Sequence, residues 1–101
     1  MEVNKLVRDR IPEIITASGK TPIVRILDDA EYKMYLEKKL DEEVSEYHES
    51  KEITELADIL EVVYALCEAD GHSVDMLQSV YQKKHEERGG FKEKVFLVQS
   101  E

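Results

Sequence analysis

LDEEVSEYHESKEITELADILEVVYAL, residues 40–66, reads as two helices in succession, each carrying carboxylates three residues apart. Glu43 and Glu46, with Glu42 beside them, lie in the first half; Glu55 and Asp58 lie in the second. Residues three apart are neighbours on a helix surface, so each pair can offer its oxygens to one point. If the two helices fold back antiparallel, the pairs converge. Four oxygen donors with coordination positions left open suit Mg²⁺ or Mn²⁺ better than Zn²⁺, which favours nitrogen and sulfur.

The burial pattern around these acids separates the two pairs. Tyr32, Leu36, Leu40, Val44 and Tyr47 recur at helical spacing and form one apolar stripe on a helix expected over about 30–48. At about 100° per residue, Glu43 lies roughly 40° from the centre of that stripe, Glu46 further round and Glu42 nearly opposite. The next helix, expected over about 53–69, is apolar nearly all round. Ile53, Leu56, Ala57, Leu60, Val63, Tyr64 and Cys67 make one face, and Ile59, Val62, Ala65 and Leu66 much of the other. Such a helix requires cover on more than one side. Glu55 and Asp58 stand in line with Val62 and Ala65, where a carboxylate is costly unless it is paired or binds a metal.

Outward from this pair the chain adds smaller elements. Asp9 stands ahead of Ile11-Pro12, and proline is tolerated in a first helical turn, so a short helix is expected over about 11–18, stopped by Gly19. TPIVRIL, residues 21–27, is β-branched and too short for a helix; it reads as an extended segment near 22–27. Asp28 and Asp29 cap the helix that follows. Asp70-Gly71-His72 breaks the chain, and Ser73 caps a further helix expected over about 73–88, ended by Gly89-Gly90. Val95–Val98 forms a second extended segment able to pair with the first. The expected fold is an all-α helical bundle occupying 1–101 as a single domain.

Composition sets outer limits on function. With 101 residues and 42% apolar content the chain is globular rather than disordered, near the small end of what builds its own core. A formal charge of −9 argues against binding a nucleic-acid polymer, which calls for a basic footprint. The single cysteine, Cys67, cannot form an internal disulfide and reads as a small buried hydrophobe. No apolar run reaches the roughly 18 residues of a membrane span, and the opening residues lack a signal-peptide core, so a cytoplasmic protein is expected.

Each sharper reading has a plainer rival. Glutamate is abundant, so a three-residue spacing arises cheaply, as at Glu46/Glu49 and Glu49/Glu52. Lys5, Arg8 and Arg10 near one end, and Lys83, Lys84 and Arg88 near the other, suit either phosphate binding or ion pairing with the surplus acids. His48, His72 and His85 share no helical face and no zinc spacing. The five tyrosines read mostly as core, with one available for a base pocket. No Ser/His/Asp arrangement, phosphate-binding GxxxxGK or nucleotide-binding GxGxxG occurs.

The pattern EExxE followed by ExxD, together with NKLVRDRIPEII, the GK at residues 19–20 and the closing ERGGFKEKVFLV, resembles the MazG-like, all-α nucleoside-triphosphate pyrophosphatases. It is most similar to their phosphoribosyl-ATP pyrophosphohydrolase-like, house-cleaning branch, and the similarity covers essentially the whole chain. The resemblance implies Glu43, Glu46, Glu55 and Asp58 as metal ligands, Glu42 or Glu46 as catalytic base, and Lys5, Arg8, Lys83 and Arg88 as phosphate-binding residues. It implies Mg²⁺, with Mn²⁺ possible, and hydrolysis of a nucleoside triphosphate between its α- and β-phosphates. It also implies a bundle completed by pairing into a homodimer or homotetramer. The alternatives are a non-catalytic helical dimer with a structural or regulatory metal site, and a phosphoribosyl-ATP pyrophosphohydrolase, which differs only in substrate.

Overall fold

Four helices make up the secondary structure of the computed structural model, which describes residues 3–101: α1 (Ile11–Ala17), α2 (Asp29–Ser50), α3 (Ile53–Ala69) and α4 (Val74–Arg88). α3 has the bounds its sequence implies. α2 begins at Asp29 because Asp28 is extended and its carboxylate accepts the Glu31 N–H at 2.8 Å. It runs on to Ser50, two residues beyond the expected end, because Lys51 adopts a left-handed conformation (φ 59) and its N–H closes on the Tyr47 carbonyl. Only Lys51 and Glu52 then separate α2 from α3. A connection that short forces the two helices to lie antiparallel and side by side.

α2 packs along α3, and α4 touches α3. α4 leaves from the C-terminal end of α3, where the Cys67 thiol donates to the Ser73 carbonyl at 3.3 Å and Gln78 donates to the Tyr64 hydroxyl at 3.0 Å. Ser73 caps α4 by accepting the Met76 N–H at 3.1 Å. Cys67 is half-buried, not fully enclosed.

The two faces of α3 have different fates. Ile59, Val62, Ala65 and Leu66 are buried or half-buried, with Val62 among the few buried residues described. On the opposite face Ile53, Leu56, Ala57 and Leu60 are exposed. Leu36 of α2 and Val62 of α3 are the buried apolar residues, so the core of a single copy is thin. The radius of gyration is 17.8 Å, where a compact domain of this length has about 13 Å. The accessible surface is 9206 Å², against about 5,900 Å² for a folded monomer of this mass.

The expected pairing of the two extended segments does not form. Among the described residues there is no strand, and Ile23, Ile26, Val95, Phe96 and Val98 are all at least 85% exposed. Two lone strands make a ribbon of marginal stability, and nothing among the described residues covers one here. No helix is long and apolar enough to cross a membrane.

Candidate metal centre

Glu43 is the pivot of the site. It belongs to two groups of carboxylates whose oxygens lie within 4.8 Å of one another: Glu42, Glu43 and Glu46 on α2, and Glu43 of α2 with Glu55 and Asp58 of α3. The first group comes from helical spacing alone. The second exists because the two-residue turn brings α3 back along α2.

Glu43 is the buried member of the set. It is 6% exposed, enclosed where the α2 stripe meets α3, whereas Glu46 is exposed and Glu42, Glu55 and Asp58 are half-buried. Its Oε2 is buried with no hydrogen-bond partner among the described residues. Burial foremost, and then the neighbouring Glu46 carboxylate, push the Glu43 carboxyl above its ordinary range, with Lys39 opposing. A buried, unpaired carboxylate oxygen facing further carboxylates is the surrounding a hard cation relieves. The donor set is all oxygen, as Mg²⁺ or Mn²⁺ prefers.

Basic groups frame these acids. The Arg8 guanidinium places Nη2 at 2.6 Å from Asp58 Oδ1 and Nη1 at 3.4 Å from Glu61 Oε1. Lys39 Nζ lies 3.5 Å from Glu42 Oε1 and 3.4 Å from Glu43 Oε1. Lys5 reaches Glu42 at 3.6 Å. Ser50 donates to Glu55 Oε1 at 3.4 Å. A cleft of about 430 Å³ opens over the Glu43–Asp58 side, with Arg8, Arg10, Tyr32, Lys39 and Glu61 among its lining residues. Its size falls within the range of small-molecule sites. A smaller cleft of about 240 Å³ adjoins Lys5, Tyr35, Lys38 and Glu42.

The structure thus brings Glu42, Glu43, Glu46, Glu55, Asp58, Lys5 and Arg8 together. Lys83 and Arg88 stand apart: they lie on α4, which lines neither cleft, because α4 departs from the far end of α3. Lys39 and Glu61 belong to the site although their pattern was passed over in the sequence. Lys39 precedes Glu42 and Glu43 by three and four residues, and Glu61 continues the three-residue ladder from Glu55 and Asp58, so both signals were local.

No family model and no solved structure matches the chain. A stretch of 42 residues, 42% of the chain, is 64% identical to an uncharacterized protein of Mycolicibacterium smegmatis. The match spans 43% of that protein, less than half its length.

Proposed function

We propose that the protein is a divalent-metal-dependent nucleoside triphosphate pyrophosphohydrolase acting on non-canonical nucleotides. The observation that carries this reading is the buried, unpartnered Oε2 of Glu43, shared by two carboxylate groups at the edge of a cleft that also holds Arg8. Glu43, Glu46, Glu55 and Asp58 would hold Mg²⁺ or Mn²⁺. The cation supplies neutralisation of the triphosphate, which a chain of charge −9 needs, and lowers the pKa of the attacking water.

The chain's own residues do the rest. Glu42 or Glu46, both within the α2 acidic group, accepts the proton of the water that attacks the α-phosphorus. The bond from the α-phosphorus to the bridging oxygen breaks, and pyrophosphate leaves with that oxygen. Lys5 and Arg8 carry the phosphate binding, since Lys83 and Arg88 have no place in the cleft of a single chain. Tyr32 lines the same cleft and offers a ring for a base to stack on.

The open face of α3 supports pairing with a second copy. Ile53, Leu56 and Leu60, with Val80 and Tyr81 of α4, are apolar residues left for it.

A second reading has its own observation. Lys5 pairs with Glu42 and Arg8 with Asp58, so the acids also serve as a polar clasp joining the N-terminal segment to α2 and α3. That suits a non-catalytic helical dimer with a structural or regulatory metal. A panel of canonical and modified nucleoside triphosphates, with phosphoribosyl-ATP included, separates the readings when pyrophosphate is assayed in Mg²⁺, Mn²⁺ or EDTA. Metal-dependent pyrophosphate release is expected. Release of single phosphates overturns the bond assignment, and no release from any member favours the clasp.

A further inference from the structure

We propose that Arg8 holds the cation's place at Asp58 and is displaced when the cation binds, which frees its guanidinium for the substrate's phosphates. This rests on the metal-site reading and adds a coupling between the two ligands. Asp58 is one corner of the Glu43–Glu55–Asp58 group, and Arg8 Nη2 already occupies its Oδ1 at 2.6 Å. A divalent ion drawing on the same carboxylate meets a positive charge bonded to it, and like charges that close repel. Asp58 keeps a second oxygen, so the repulsion weakens the ion pair rather than forbidding it, and the more mobile of the two cations gives way.

The two basic residues at the site differ in how easily they can move. Lys39 is 18% exposed and lies on α2 with the acids it pairs to, three and four residues away, so the helix holds it beside them. Arg8 lies outside any helix, on the segment before α1, and its side chain is 52% exposed. Ion pairs at such exposure contribute little, so exchanging this one is easy. Arg8 also lines the 430 Å³ cleft, and a planar guanidinium presents paired donors that match phosphate oxygens. Bound metal and bound phosphate therefore favour the same swing of one side chain.

The test measures binding rather than turnover. Mn²⁺ affinity of the full chain is read from the spin-resonance signal of free Mn²⁺ at about 0.15 M salt, where the Debye length is about 8 Å. R8A is expected to tighten Mn²⁺ binding about two- to fivefold. R10A removes the same charge from the rim of the same cleft, leaves Asp58 paired to Arg8, and is expected to change the affinity less. At saturating Mn²⁺, R8A is expected to weaken inorganic pyrophosphate binding about tenfold or more, with R8K in between. Opposite signs for the two ligands in one variant are not what simple damage to the fold produces. Unchanged or weaker Mn²⁺ binding in R8A, an equal shift in R10A, or unchanged pyrophosphate binding in R8A overturns the exchange while leaving the metal site standing. A wild-type protein that does not bind Mn²⁺ overturns the metal site and the exchange with it.

Discussion

Replacing Glu43 by glutamine separates two demands placed on one side chain. Its carboxylate is 6% exposed, one oxygen lacks a partner, and burial holds its pKa above the ordinary value of 4.5. A carboxyl whose folded pKa is raised binds more protons folded than unfolded between the two values. Stability is then greatest below the unfolded pKa and falls as the pH rises through the folded one. Above its raised folded pKa the metal-free protein carries that penalty. A buried polar group without a partner costs about 1–3 kcal/mol. Glutamine still buries an amide there and forfeits the charge facing Lys39, so the lower end applies. E43Q should stabilise the metal-free protein by about 1 kcal/mol, or about 4–8 °C in Tm for a domain of this size.

Metal reverses the order. With Mg²⁺ at about a hundred times its Kd, the wild-type protein gains about 2.7 kcal/mol by linkage, and a variant that has lost the shared ligand gains almost nothing. Thermal melts followed by circular dichroism, at one protein concentration, should place E43Q above wild type in EDTA and below it in Mg²⁺. The gap in EDTA should narrow as the pH is lowered and close below the ordinary value of 4.5, where the wild-type carboxyl is protonated in both states. A variant less stable than wild type in EDTA would refute the burial argument. A variant with an undiminished rise in Mg²⁺ would refute Glu43 as the shared ligand.

Alanine at Asp58 should lower metal-dependent pyrophosphate release by at least about a hundredfold while leaving the helical circular dichroism intact; full activity would remove Asp58 from the site. Light scattering should return at least twice the 11.7 kDa chain mass, and Leu60→Asp, on the open face of α3, should shift the protein toward monomer without changing the residues of the cleft. Asp28→Ala removes the cap that accepts the Glu31 N–H and should cost about 0.5–2 kcal/mol in a denaturant melt, and Ser73→Ala, at the start of α4, a similar amount. A cost below a few tenths of a kcal/mol at either position would mean that the end of that helix frays whether or not it is capped.

Those parts of the fold set by local chemistry could be read directly from the sequence. Ile53 to Ala69 is bounded by Glu52 and Asp70-Gly71, and its helix has those limits. The end of α2 was less legible because Lys51 takes a left-handed turn without a glycine to announce it, carrying the helix past Glu49. The carboxylate spacing foretold the acidic group, since neighbours three apart on a helix need no tertiary information. The Arg8–Asp58 contact joins residues fifty apart in sequence, and only the packing of the N-terminal segment across α2 and α3 creates it. Residues 22–27 and 95–98 show the converse: composition suggests a strand but says nothing of a strand partner, and among the described residues neither segment has one.

The open surface and the acidic group have one origin in α3. To hold Glu55 and Asp58 against Glu43, the helix must turn Ile59, Val62 and Ala65 toward α2, since those residues share the acids' side. Doing so sends Ile53, Leu56 and Leu60 the other way, where α4 is too far toward the C-terminal end to cover them. A polar outer face would have spared a lone bundle that exposure. The sequence instead keeps it apolar, and covering it would remove that cost. The carboxylates and the uncovered leucines are opposite sides of one helix, so whatever covers the second also steadies the first.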